Sequence, residues 1–207
     1  QLSETGFTTP DAISLQRELS VMQKNGAEAL AIEASSIGLD QGRLNGLHID
    51  VALFTNLTRH HLDYHGDMDA YAAAKQRLFD WNSLTTAIIN LDDVVGLKRL
   101  AHLQQARPDV RLMTYSLEKS SYEGTALLSA SNLKTTHAGT SFHLESPFGS
   151  GLVKTQLIGR FNVSNILGVL AVLLSKGIPL PKALALIEKL PPVPGRMQLA
   201  GTAGHVM

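Results

Sequence analysis

Apolar positions along the chain follow two rhythms. Short unbroken apolar runs at Ala29–Ile32, Val51–Thr55 and Thr86–Asn90 read as strands buried on both faces, because they do not alternate with polar residues. Val110–Tyr115 adds a further strand. Between these runs, apolar residues recur three and four apart. Ile13, Leu15, Leu19 and Met22 mark an amphipathic helix. It starts at Thr8-Thr9-Pro10-Asp11, with a Thr cap and Pro at the first helical position, and stops at Asn25-Gly26. Met68–Trp81 is a second helix, rich in Ala, with Met68, Tyr71 and Leu78 as inner positions; Val94–Gln105 is a third. Alternation of this kind predicts an α/β fold, a mostly parallel sheet flanked by helices.

After Ser116 the rhythm changes. Leu127–Ser131, Thr140–Glu145 and Leu152–Leu157 are short strand candidates separated by Gly, Ser, His and Pro, which predicts a small antiparallel β addition. Phe161–Lys176 is a strongly apolar helix ended by Gly177 and Pro179, and Lys182–Leu190 a last helix closed by Pro191-Pro192-Val193-Pro194-Gly195.

Composition narrows the function classes. The 207 residues are 44% hydrophobic and 17% charged, enough for one large domain with its own core. A formal net charge of zero gives no bulk attraction to nucleic acid or acidic membrane, so neither is expected as a partner. The absence of cysteine excludes disulfides and thiolate metal sites and fits a reducing cytosol, so a cytoplasmic location is expected. No apolar run approaches the roughly 18–20 residues of a membrane span.

Chemistry-bearing residues concentrate in FTNLTRHHLDYHGDMDAYAAAKQRLF, Phe54–Phe79, where Asn56, Arg59, His60, His61, Asp63, Tyr64 and His65 precede a helix carrying Lys75. Glu33 ends the first apolar run, and Asn90 and Asp92 end the third. Strand ends of an open parallel sheet can converge on one crevice. Glu and His placed there could hold a divalent cation, with carboxylate oxygens favouring magnesium. Each residue also has a plainer reading. Glu33 could cap a helix, Lys75 could be a solvated helix lysine, Arg43 could be a surface residue, and Asn162-Val163-Ser164-Asn165 could be a helix start. The residues alone lead to a cation or phosphate site.

Five blocks, in order, carry a family resemblance: ALAIEASSIGLDQGR (Ala29–Arg43), the Phe54–Phe79 stretch, AIINLDD (Ala87–Asp93), GRFNVSNILGVLAVLL (Gly159–Leu174) and PVPGRMQ (Pro192–Gln198). Together they resemble the central domain of the Mur ligase family, most closely its MurE type. The resemblance implies a bacterial, cytoplasmic, ATP-dependent ligase of peptidoglycan synthesis. It would add the third amino acid, diaminopimelate or lysine, to UDP-N-acetylmuramoyl-L-alanyl-D-glutamate through an acyl phosphate. It implies ATP and Mg2+ as cofactors, with Glu33, His61 and Lys75 at the metal and catalytic site and Lys75 carried as a carbamate. Thr8, Thr9, Ser35, Gln41 and Arg43 match substrate-binding positions; Asn56, Asn162, Asn165 and Arg196 match positions around the nucleotide. An arginine suits a ligand bearing carboxylates and pyrophosphate, since its fork pairs with both.

The sequence departs from the family pattern at three places. His60 stands where the loop usually has Asp, and Ile37 where many members have His. No Gly-Lys-Ser/Thr occurs, so the family's phosphate-cradling P-loop is missing. The expected layout is a central ATPase domain at 1–198 without its P-loop, and the truncated start of a linker or C-terminal domain at 199–207. Such a piece is expected to be inactive alone and to self-associate through an uncovered sheet edge. The other muramoyl ligases and folylpolyglutamate synthetase share the same core. A degenerate, non-catalytic nucleotide-binding domain is the reading from a different class.

Overall fold

The computed structural model describes residues 8–58 and 62–192. The chain forms two compact units. One takes the residues up to Ala52 and Leu57–Leu84, and the other Leu53–Asn56 and the residues from Thr85.

The first unit is helical. Helix α1 spans Ala12–Lys24, α2 Ser36–Asp40, α3 Leu62–His65 and α4 Met68–Gln76. Leu15, Leu39 and Leu44 form its buried centre, with Leu19, Ile32, Ala34, Leu47, Leu78 and Trp81 packed around them. The sequence points to a Thr cap for α1, but the cap is Asp11, whose carboxylate accepts from the Ile13 and Ser14 N–H groups at 3.0 Å each. A carboxylate at this position also meets the positive end of the helix dipole. Its bonds, those to Ser14 first, hold the Asp11 carboxyl below its ordinary value.

Two further expectations are corrected in this unit. Ala29–Ile32 is not a buried strand: the segment has no ladder, and Leu30 is 45% exposed. A strand needs a neighbour for its N–H and C=O groups, and none of the described residues pairs with it. Helix α4 ends at Gln76 instead of continuing to Trp81. Phe79 turns inward and is 2% exposed, and the Trp81 indole donates to the Leu47 carbonyl at 2.9 Å. Together they take the chain off the helical path.

The second unit is built on a six-stranded sheet in the order β1-β2-β3-β4-β5-β6. Its strands are β1 Val51–Phe54, of which Leu53 and Phe54 belong to this unit, β2 Thr86–Asn90, β3 Arg111–Ser116, β4 Ala126–Thr136, β5 Gly139–Glu145 and β6 Gly151–Thr155. Strands β2, β3 and β4 run parallel; β5 and β6 add antiparallel. The strand after Ser116 thus joins the parallel set, and the antiparallel addition begins one strand later than its polarity suggests. Every residue of β2 is buried, as its unbroken apolar run requires. Helices α5 Val94–Ala106, α6 Arg160–Ser175 and α7 Leu180–Glu188 complete the unit. α5 packs on β2, α6 on β2, β3 and β4, and α7 on β6 and α6. No described helix is long and apolar enough to cross a membrane.

Close approach of α5 to the end of β2 depends on Gly96. A Cβ there would lie 2.2 Å from the Asn90 carbonyl oxygen and 3.2 Å from Phe54 Cε1. Gly96→Ala is expected to destabilise the protein by about 3 kcal/mol, the upper end for overpacking, because the obstacle is backbone. Urea unfolding measures it, and a loss below about 1 kcal/mol would show that α5 can shift aside.

Tyr115 in β3 is fully buried and donates to the Phe54 carbonyl at 3.2 Å. Burial, then the Asp92 and Asp93 carboxylates, push its hydroxyl well above the ordinary 10.0. The folded state therefore favours the protonated phenol. That stability is fully present below the unfolded value and is lost as pH rises above it. Tyr115→Phe is expected to flatten the decline in unfolding free energy between about pH 9 and 11. Equal slopes for the two proteins would contradict the assignment.

Candidate functional site

In the helical unit, the expected substrate-binding residues meet around one buried hydroxyl. Thr9 is 1% exposed. Its Oγ1 donates to the Glu33 carbonyl at 3.0 Å, accepts from the Ser35 N–H at 3.1 Å, and lies 2.9 Å from Ser35 Oγ. With one proton, the Thr9 hydroxyl can satisfy only one acceptor at a time. Ser35 caps α2 by accepting from the Gly38 N–H at 3.0 Å. Gly38 is what lets Thr9 pack on this turn, since a Cβ there would sit 3.0 Å from both Thr9 Cβ and Cγ2.

Arg43 closes the group. Its Nη1 donates to the Thr9 carbonyl at 2.8 Å, while Nε and Nη2 both donate to Gln41 Oε1, at 2.9 and 2.6 Å. The Gln41 amide in turn reaches Tyr64 Oη at 3.3 Å, and that hydroxyl donates to Asp40 Oδ2 at 2.9 Å. Arg77 holds the other face of Asp40, with Nη2 3.0 Å from Oδ1 and Nη1 donating to the Asp40 carbonyl at 3.0 Å. Thr9, Ser35, Gln41 and Arg43 are therefore brought together, and Thr8 is exposed beside them.

A second line of contacts leads to Lys75. Buried Ser36 lies 2.9 Å from His65 Nε2 through its hydroxyl. The His65 ring stacks on Tyr71 at 5.3 Å, and the half-buried Lys75 places Nζ 5.7 Å above the Tyr71 ring. Burial raises the Tyr71 hydroxyl above its ordinary value, so the ring stays neutral beside the ammonium. Asp40, Tyr64, His65, Ala70, Ala73, Ala74 and Arg77 line a cleft of about 340 Å³ here. Asp40 and Arg77 lie inside the resembling blocks with no role expected of them, and Tyr71 is expected only as an inner helix position; these contacts join all three to the group.

The cation expectation rests mainly on Glu33. Its backbone is held by Thr9, while its carboxylate is exposed and has no hydrogen bond or ion pair among the described residues. An exposed oxygen donor fits a hard divalent cation, which binds through one or two carboxylates and keeps several waters. No group of three His, Asp or Glu in ligating arrangement occurs among the described residues. His61, like Arg196, lies outside them.

In the sheet unit, most polar groups at the strand ends are engaged in shaping loops. Asn90 donates to the Thr55 carbonyl at 2.7 Å and accepts from the Asp92 N–H at 3.0 Å. Asp92 accepts from the Ser116 hydroxyl and from the Leu117 N–H, the latter at 2.7 Å. Asp93 caps α5. Of the expected nucleotide residues, Asn162 donates to the Ile158 carbonyl at 2.8 Å, the helix-start role. Asn56, just past β1, and Asn165, in the second turn of α6, are exposed.

Known proteins share this sequence and fold. A family model described as the Mur ligase middle domain matches residues 1–173. UDP-N-acetylmuramoyl-L-alanyl-D-glutamate–2,6-diaminopimelate ligase of Janthinobacterium sp. (strain Marseille) is 55% identical over 197 residues, 95% of this chain and 39% of the relative. The ligase of the same name from Pseudomonas aeruginosa is 47% identical over 194 residues, 94% of this chain and 38% of the relative. A solved structure of a ligase with that name is 41% identical and superposes with a TM-score of 0.83 over 91% of this chain and 38% of its own. MurF from Acinetobacter baumannii, 23% identical with a TM-score of 0.62 over 75% of this chain and 32% of its own, shares the fold. The chain thus spans about two fifths (39%) of the length of the first relative. On the family match and on the order in which its motifs fall in the fold, the chain belongs to the Mur ligase family.

Proposed function

We propose that the protein carrying this chain is an ATP-dependent amide ligase that adds diaminopimelate to UDP-N-acetylmuramoyl-L-alanyl-D-glutamate. The observation that carries this reading is the ring of Thr9, Ser35, Gln41 and Arg43, assembled around one hydroxyl in a chain 55% identical to a ligase so named. In the reaction, ATP transfers its γ-phosphoryl group to the glutamate carboxylate, giving an acyl phosphate and ADP. The diaminopimelate amine attacks the acyl carbon, an amide forms, and phosphate leaves with the carbon–oxygen bond pair.

The chain's residues serve binding and orientation. Arg43 offers a fixed guanidinium to the anionic substrate, its plane set by Gln41 and Thr9. Ser35 and the Thr8-Thr9 backbone line the same place. Exposed Asn56 and Asn165, with Asn162 and Arg196, serve the nucleotide. Glu33, with His61, would hold Mg2+, which when bound supplies positive charge between the two reacting anions. Lys75 is carried as a carbamate in the working enzyme. Its present contact with the Tyr71 ring face suits an ammonium, so the modified form requires a counter-cation close by. With these substrates the protein would act in peptidoglycan synthesis, and a bacterial cytoplasmic location belongs to the same reading. The phosphate cradle has to come from outside these 207 residues, which contain no Gly-Lys-Ser/Thr.

The full protein is expected to convert ATP, the UDP-muramoyl dipeptide and diaminopimelate into equal amounts of ADP, phosphate and tripeptide. Glu33→Gln is expected to lower kcat by about 100-fold, with part of the loss recovered at high Mg2+. Coupled ADP release and mass spectrometry of the nucleotide product measure both. Ligation of folate instead of the muramoyl peptide would overturn the reading, and turnover by the 207 residues alone would overturn the need for an outside phosphate cradle.

A further inference from the structure

Tyr64 lies outside the substrate ring, yet its hydroxyl meets a group inside it. Its hydroxyl accepts from the Gln41 amide nitrogen at 3.3 Å and donates to Asp40 Oδ2 at 2.9 Å. Asp40 is itself fixed by Arg77, whose two terminal nitrogens bind its carboxylate and its carbonyl at 3.0 Å each. The Tyr64 oxygen is therefore a lone-pair acceptor held in a defined place.

A primary amide has one accepting and one donating end, and the two are close in shape. If Gln41 turned over, its NH2 would face the Arg43 Nε and Nη2 donors, which now share Oε1 at 2.9 and 2.6 Å. Donor would meet donor, and the guanidinium would lose the partner that fixes its plane. Arg43 Nη1 also holds the Thr9 carbonyl at 2.8 Å, and Thr9 holds the Glu33 carbonyl and the Ser35 N–H. One amide orientation thus bears on Arg43 and Thr9 and, through Thr9, on Glu33 and Ser35.

We propose that Tyr64 is a positioning residue: its hydroxyl selects the orientation of the Gln41 amide and, through it, the plane in which Arg43 meets the anionic substrate. The proposal rests on the ligase reading above. Its signature is a cost confined to muramoyl-peptide binding. Tyr64 is 41% exposed and Gln41 is exposed, so the hydroxyl contributes little to folding.

The test is a double-mutant cycle in the full protein, with UDP-N-acetylmuramoyl-L-alanyl-D-glutamate as the varied substrate. Tyr64→Phe is expected to raise KM for this substrate about fivefold, the loss of one hydrogen bond to a guided polar group. kcat, the KM for ATP and the thermal midpoint should stay at wild-type values. In a Gln41→Ala background, Tyr64→Phe should add nothing, because the group it orients is gone. Additive effects in the cycle, an unchanged KM in Tyr64→Phe, or a parallel loss in kcat and ATP KM would each overturn the proposal. Failure of the wild type to ligate the muramoyl dipeptide would overturn the functional reading first, and this inference with it.

Discussion

The helical unit depends on a single buried hydroxyl. The segment from Ala27 to Ala34 has neither helix nor ladder, and its middle is exposed. Among the described residues, the side-chain bonds that reach it are those of Thr9 Oγ1, to the Glu33 carbonyl and, just beyond the segment, to the Ser35 N–H. Buried backbone groups demand partners, and here the partner is a side chain from the approach to α1. That one contact places Glu33, fixes the cap of α2 and brings the start of α1 under Arg43. It explains why residues more than twenty positions apart in sequence can act as one site. It also explains the glycine at position 38, the only residue that leaves room for Thr9 against the first turn of α2.

The sheet unit solves a different problem. Its strands are buried on both faces, so the polar groups are pushed to the strand ends. There, most of them are consumed by architecture. Asn90 ties the ends of β1 and β2, Asp92 and Ser116 shape the connection after β3, and Asp93 starts α5. Glu118 and Lys119 donate backbone N–H groups to Ser116 Oγ, and Glu118 pairs with Arg160 at the start of α6. The carboxylates at these strand ends are therefore occupied by loop and cap bonds. Glu33, whose carbonyl is pinned while its side chain stays exposed, keeps its carboxylate clear of such bonds among the described residues.

How much was legible in the sequence follows from which forces act locally. β2 was read at its full extent because burial on both faces leaves an unbroken apolar run. α5, α6 and α7 were legible within two residues at each end, since periodicity and the Gly and Pro breakers are local signals. β4 runs on to Thr136 beyond its apolar half, through a bulge at Ser131–Lys134, because cross-strand hydrogen bonds with β5 and not burial hold that part. Ala29–Ile32 was misread for the opposite reason: it has strand composition without a strand to pair with. In the site, Thr9, Ser35, Gln41 and Arg43 were found through motif resemblance, and the structure brings them together. Tyr64 is legible only as one polar member of the Phe54–Phe79 cluster, Tyr71 only as an inner helix position and Arg77 not at all, because nothing in their spacing shows that α3 and α4 lie against α2. Asn162, expected at the nucleotide, has its side-chain amide bonded to Ile158 O, the helix-start bond that the sequence also allows.

The central claim is that the ring around Thr9 binds the muramoyl peptide. The most direct measurement is a chemical-shift map of the isotope-labelled protein titrated with UDP-N-acetylmuramoyl-L-alanyl-D-glutamate in the absence of ATP. Saturable shifts centred on the amides of Thr9, Ser35, Gln41 and Arg43 and on the Arg43 Nε–H are the expected result. Saturable binding that leaves those resonances unmoved, with shifts gathered elsewhere, would contradict it.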